Sequence, residues 1–241
     1  MEYAQRFKTA NMDINCQIKV VSSAVILNMS TAGISMKTNF RLKKDNIYPL
    51  EVEDYNNGLE LEATAVSSDV ILRKEDGNLR CDFTPVHSAG MQFLHASKRK
   101  PDEIMNYIGK YKQKADNRVN IFMLSDRRRD ARSFINESKK CFLNFSVNCR
   151  VQELGVGGML TRSGHELGNG SWVLATIPAP GGEPLKISGR IVSCSFMGGT
   201  DAGQVFDVGI EFTEASDEDR ERIKRLVRTT IVSDSVKKFR T

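Results

Sequence analysis

Two periodicities organise the chain. Residues 14–27 alternate apolar and polar as INCQIKVV and then AVIL, the period of two that belongs to a strand with one buried face. They read as strand, turn, strand, with Ser22-Ser23 at the turn. Further strand candidates lie at 34–37, 47–52, 59–66, 70–73, 79–83 and 90–93. Asn56-Asn57-Gly58 and Asp76-Gly77-Asn78 supply hairpin turn residues between them. Residues 101–114 change period. Pro101 suits a first helical position, and Ile104, Tyr107, Ile108 and Tyr111 fall at i, i+3, i+4 and i+7, one face of a helix.

The second half repeats this order. CFLNFSV and CRVQ are strand candidates, followed by the turn ELGVGG and by MLTR, SWVLATI, LKISGRIVS and VFDVGIEF. Residues 178–182 are a Pro/Gly loop. A terminal helix starts at Ser216, with Asp219 three residues on in a capping-box arrangement and an apolar stripe of Ile223, Leu226, Val227, Thr230 and Ile231. The halves align at two places. Asn28-Met29-Ser30-Thr31-Ala32-Gly33 corresponds to Glu153-Leu154-Gly155-Val156-Gly157-Gly158, and GMQFLHAS from Gly90 to GIEFTEAS from Gly209. Two copies of a β-rich unit with a C-terminal helix follow, divided as residues 1–117 and 118–241. A split barrel with a helix over one open end would bury the apolar faces and protect the strand edges.

Composition narrows the class. The 241 residues, 40% hydrophobic and 27% charged, are those of an ordinary soluble protein with room for two small cores. No apolar run reaches the length of a membrane span, and the first ten residues carry no secretory h-region, so a cytoplasmic location is expected. Cys16, Cys81, Cys141, Cys149 and Cys194 form no CxxC pair and read as small buried apolar residues. His87, His95 and His165 are dispersed, with no acid or nucleophile at a suggestive spacing, so neither an enzyme nor a metal site is expected. The net charge of +5 suits an anionic partner. A nucleic-acid regulator is the third-ranked class, because aromatic residues are only 7% and no helix-turn-helix pattern is evident. The lone Trp172 is expected in the core.

The chemistry gathers in residues 126–158. Arg127, Arg128 and Arg132 stand on a polar connector, and about twenty residues later comes the acid-led glycine turn. Guanidinium groups clamp phosphates two hydrogen bonds at a time. A carboxylate beside glycines can accept from a purine edge while the backbone approaches closely. Together they suit a small, flat, doubly phosphorylated ligand; the competing reading is a solvated basic linker followed by a tight strand connection.

This pair resembles the signature of PilZ domains, RRxxxR followed by DxSxxG, over about residues 125–232. Arg127, Arg128, Arg132 and Gly158 match; Glu153 replaces the acid and Gly155 the serine. The resemblance implies a mainly β chain of two tandem PilZ-like split β-barrels, each followed by a C-terminal α-helix, with a divergent N-terminal copy as in flagellar-brake proteins. It implies cyclic di-GMP as ligand, with no further cofactor. Arg128 and Arg132 would hold phosphates and stack on guanines, Arg127 would assist, and Glu153 would accept from a guanine edge, beside Gly155 and Gly158. In the first copy, Asn28, Ser30 and Gly33 read as a structural turn lacking an arginine partner, since Arg6 stands alone there.

The expected function is a non-enzymatic cyclic di-GMP receptor that regulates motility or biofilm behaviour. It would act by changing the interdomain arrangement or the binding of a protein partner, with flagellar motor or other output machinery as the implied partner. The alternative is a PilZ-like adaptor that has lost the nucleotide, which the changes at Glu153 and Gly155 motivate. The missing serine hydroxyl removes one hydrogen bond of roughly 0.5–1.5 kcal/mol, against roughly 1.5–3 kcal/mol for each charge-assisted bond the arginines can make.

Overall fold

The computed structural model describes residues 7–8, 14–54, 58–71, 86–94, 100–113, 132–136, 138–179, 182–200 and 203–238. The turns expected at Asn56-Asn57 and 76–78, the strand at 79–83, Arg6, Arg127, Arg128, Cys81, His95 and the side chains of Thr230 and Ile231 lie outside the described residues. The described chain is mainly β, with twelve strands and two helices. It groups into two compact units: Ser23–Asn144, here the first-repeat unit, and Met1–Ser22 with Phe145–Thr241, the second-repeat unit.

Alternation carries further than the turn signals allowed. In place of strand, turn, strand there is one strand, β2 (Asn15–Ser30). Cys16, Ile18, Val20, Ser22, Ala24 and Ile26 are all buried, so the period of two runs unbroken through Ser22-Ser23. Ser22 is tolerated inside because its hydroxyl accepts from Ser171 Oγ at 2.9 Å. The repeat does the same: the candidates at 141–147 and 149–152 are one strand, β8 (Lys140–Gly155), with Cys141, Leu143, Val147, Cys149 and Val151 inward.

In the first-repeat unit the later part of β2 pairs with β3 (Gly33–Thr38) and β3 with β6 (Val86–Phe93). β6 pairs with β5 (Leu59–Ile71), and β5 with β4 (Ile47–Val52). β4 then pairs with the opening of β8, at Leu50↔Leu143 and Val52↔Cys141. Ile26 N–H donates to Lys139 O at 3.0 Å, which joins the two ends of this antiparallel circuit. The candidates at 59–66 and 70–73 are parts of the single strand β5. The helix α1 (Lys100–Tyr111) buries Ile104, Tyr107 and Ile108, as its period requires.

The second-repeat unit follows the same circuit. The first part of β2 pairs with β10 (Trp172–Ile177), β10 with β11 (Leu185–Thr200), and β11 with β12 (Gly203–Phe212). β12 pairs with β9 (Gly158–Ser163), and β9 with the later part of β8. Val151 N–H to Ile14 O at 2.9 Å closes it. The short β1 (Phe7–Lys8) lies on Leu154 and Glu153. In α2 (Asp217–Lys238), Ile223, Leu226 and Val227 are buried. Its cap forms as expected: Ser216 Oγ accepts from Asp219 N–H at 3.1 Å, and Asp219 Oδ2 accepts from Ser216 N–H at 3.1 Å. Trp172 is not core. It is 55% exposed, because Val173, Ala175 and Ile177 take the inward parity of β10 and leave Trp172 with Leu174 on the outer face.

Each circuit is completed by a strand segment from the other half of the sequence. Residues 15–22 belong with the second repeat and residues 140–144 with the first. The division at 117/118 treats each half as contiguous, whereas the compact units exchange these segments. The repeat itself is deep. Register shifts recur between Ile26 and Asn28 and between Val151 and Glu153. They recur again between Ala65 and Ser67 and between Ile191 and Ser193. A Cβ on Gly33 would run into the Met91 carbonyl, and one on Gly158 into the Ile210 carbonyl, so both glycines are needed for the same close strand approach.

Candidate functional site

Strand β2 ends in the turn 28–33. There Ser30 Oγ accepts from Ala32 N–H at 3.3 Å, a side-chain brace of the bend. Beyond the turn, β3 leaves antiparallel, and the glycine at its start lets β6 come close.

Against the outer side of this turn lies β7 (Ser133–Phe134), with Ser133 opposite Met29 and Phe134 opposite Asn28. Its register delivers Arg132. Arg132 Nη1 donates to Asn28 Oδ1 at 3.1 Å, across 104 residues of sequence. The segment is gripped from two sides. Ile135 N–H donates to Leu27 O at 3.1 Å on the sheet side. On the helix side, Gln113 N–H donates to Phe134 O at 2.9 Å and Asn136 N–H to Tyr111 O at 3.1 Å. The end of α1 is fixed in turn: Tyr111 OH donates to Asp54 Oδ1 at 2.7 Å, Lys110 Nζ donates to the same oxygen at 2.6 Å, and Lys139 Nζ stands 4.1 Å from the Tyr111 ring centre. Thus the backbone that follows the arginine is set by strand and helix pairing.

Arg132 and Asn28 stand at a cavity of about 570 Å³. Ser30, Gly33, Ser35, Ser67, Asp69, Ser88, Gly90 and Gln92 complete its polar and glycine lining. Its size falls in the range of small-molecule sites, roughly 300–1,000 Å³. One cation, one carboxylate and a set of neutral hydroxyl and amide groups can offer hydrogen bonds to phosphates and to base edges together. A second cavity of about 480 Å³ in the same unit is lined by Glu51, Glu60, Glu62 and Lys100, a balance that does not favour an anion.

Of the residues expected from sequence to form one site, Arg132 is in the first-repeat unit, beside Asn28. Glu153, Gly155 and Gly158 are in the second-repeat unit: Glu153 pairs with Leu160 on one side and Lys8 on the other, and Gly155 faces Gly158. Arg127 and Arg128 lie outside the described residues. The turn 28–33, read from sequence as lacking an arginine partner, has one in Arg132. The partner was missed because it stands 104 residues on in the chain and reaches the turn through the pairing of β7 with β2. The spacing NxSxxG was the signal that could have found it. Ser35, Ser67, Asp69, Ser88 and Gln92 sit at scattered positions of three strands and carry no local sequence signature.

The buried thiols Cys16, Cys141 and Cys149 are held in the protonated form. Burial pushes Cys16 up to about 12, with the neighbouring Cys149 adding to it; burial likewise raises Cys141 to about 12 and Cys149 to about 11. Among the described residues no cluster of His, Cys, Asp or Glu suits a metal ion. None of the described helices is long and apolar enough to cross a membrane.

Comparison with protein-family models matches the PilZ domain over residues 126–229. No curated protein matches the chain. Among solved structures, MrkH of K. pneumonia is similar at 10% identity and a TM-score of 0.34, over 90% of this chain and 88% of that one. PlzA of Borreliella burgdorferi in complex with c-di-GMP is similar at 12% identity and a TM-score of 0.25, over 91% and 92%. The K. pneumonia MrkH–c-di-GMP complex is similar at 9% identity and a TM-score of 0.32, over 90% of each chain.

Proposed function

From the PilZ domain that residues 126–229 constitute, we propose that the chain is a non-enzymatic receptor for cyclic di-GMP. The observation that carries this reading is the guanidinium of Arg132, held by Asn28 at the rim of a polar cavity of about 570 Å³. Arg127 and Arg128, five and four residues before it in sequence, supply two further guanidiniums to the ligand's phosphates and guanine faces. Several charge-assisted hydrogen bonds of roughly 1.5–3 kcal/mol each are enough for a tight complex without any covalent chemistry.

Arg132 lies between β7 and the end of α1, so a ligand that engages it acts on the segment joining the two repeats. Differential contacts there bias either the arrangement of the two units or their affinity for a protein partner, with motility or biofilm control as the setting. Isothermal titration of the whole chain with cyclic di-GMP tests the reading. Wild type should give saturable heat, and Arg132→Ala and Arg128→Ala should each weaken binding by about tenfold or more. No heat from wild type would refute it. Small-angle scattering of the same saturated samples reads the output: identical curves with and without ligand would leave partner binding as the route.

The second reading, an adaptor without nucleotide, is favoured by Glu153 and Gly155 in the second repeat. Under it, wild type is silent in the same titration and Glu153→Asp with Gly155→Ser creates binding.

A further inference from the structure

We infer that the chain docks on a second copy of itself, through two outer sheet faces that hold the same place in the two repeats and carry opposite charge. One copy offers the face of β2, β10 and β11 in its second-repeat unit. The other offers the face of β8, β4 and β5 in its first-repeat unit. Neither face includes Arg132 or its cavity, and the contact needs no nucleotide.

Strand register aligns the two faces residue by residue. In the second repeat, Ala175 of β10 lies between Ile18 of β2 and Ile187 of β11. In the first, Leu50 of β4 lies between Leu143 of β8 and Leu61 of β5. All six side chains are buried, so the residues on either side of each point outward. There Lys186 stands where the first repeat has Glu60, Ser188 where it has Glu62, and Thr176 where it has Glu51. Lys19 stands where it has Asn144, and Arg190 where it has Thr64. Lys19, Lys186, Arg190, Glu51, Glu60 and Glu62 are all exposed. Residues 15–22 of β2 and the whole of β10 and β11 contain no acid, and β4 and β5 contain no lysine or arginine.

Neither set of charges is neutralised within its own unit. Among the described residues no ion pair involves any of these six side chains, and Glu211 of β12, opposite Arg190, does not pair with it. Lys100 Nζ is engaged by Glu60 O at 2.8 Å and Glu103 Oε2 at 3.5 Å. Glu51 lies directly opposite Glu60 in the β4–β5 ladder, a like-charge pairing that costs stability and that cations from outside relieve. The apolar parts match as well. Trp172 and Leu174 are exposed on β10, and Val192 on β11. On the acidic face a cavity of about 480 Å³ lies among the three carboxylates, with Pro49, Phe93 and Leu94 in its lining. It has room for an indole ring, whose N–H, a donor only, meets carboxylate acceptors there. The net charge of +5 opposes association at a distance, but physiological salt screens it beyond roughly 8 Å. One basic and one acidic face on every chain make the contact head-to-tail.

Sedimentation velocity of the full chain without nucleotide tests the contact, over a concentration series at physiological salt. The sedimentation coefficient of wild type should rise with concentration, and rise less at high salt. Glu60→Lys with Glu62→Lys makes both faces basic, and Lys19→Glu with Lys186→Glu makes both acidic; melting temperatures check folding. Each pair alone should weaken self-association by about tenfold or more. An equimolar mixture of the two should recover association to within about threefold of wild type, because each variant then meets the opposite charge. Trp172→Ala removes the apolar anchor instead, is the further variant should a charge pair fail to fold, and should weaken association by about tenfold or more. A wild type whose sedimentation coefficient stays constant into the millimolar range overturns the inference. So does association that survives both charge pairs, or a mixture that stays apart.

Discussion

Ser22 and Asn28 show what a single polar side chain can hide. Each sits where local reading expects a turn, and each finds its partner far along the chain, Ser171 for one and Arg132 for the other. By contrast, the Ser216–Asp219 cap was legible because all its groups lie within four residues. Residues whose role is set by local geometry can be read in sequence; residues whose role is set by a strand neighbour a hundred positions away cannot. Trp172 belongs to the second kind, since size argues for burial and only strand parity decides against it. At this scale the buried thiols give a pH prediction. Cys16, Cys141 and Cys149 have an ordinary value near 9 and are held at about 12, 12 and 11 when folded. Burial therefore stabilises the protonated fold up to about pH 9. Above that the unfolded chain loses protons that the folded chain keeps, so stability falls as pH rises through the folded values. Urea midpoints should be flat from pH 7 to 8.5 and decline steadily above about pH 9. Cys16→Ala with Cys149→Ala should decline less steeply from a lower starting point; parallel declines would contradict the assignment.

The strands themselves were mostly found by alternation, and their lengths were not. Breaks were expected at Ser22-Ser23 and between residues 147 and 149, where polar residues interrupt the apolar run, yet β2 and β8 continue through both. Each strand then serves two circuits. No sequence pattern announces this, because a period of two is the same whichever barrel a strand enters. The consequence is that the segment matched by the PilZ family model does not carry its whole core. A fragment of residues 118–241 lacks Cys16, Ile18 and Val20 from its core and exposes the ladder edge of β10 that residues 17–21 cover. Circular dichroism of this fragment should show no cooperative melting transition, whereas the full chain should show one; adding a peptide of residues 12–24 in excess should restore it. A fragment that melts cooperatively by itself would contradict the exchange of strands.

For the molecule as a whole, the repeat, the terminal helices and the likeness of residues 126–229 to the PilZ family model were readable from the two aligned turns and the arginine cluster. The cavity beside Arg132 was not, because its lining comes from scattered positions of several strands of the first-repeat unit and from an arginine 104 residues beyond Asn28. The two repeats carry chemically different turns, one with the neutral Asn28 beside an arginine, the other led by Glu153. Hydrogen exchange measured by mass spectrometry, with and without saturating cyclic di-GMP, separates them in one experiment, since amides under the ligand slow and distant ones do not. Protection should appear in peptides covering residues 26–36 and 88–93. Protection confined to residues 153–160 and 207–212, with the first-repeat turn unchanged, would contradict the account.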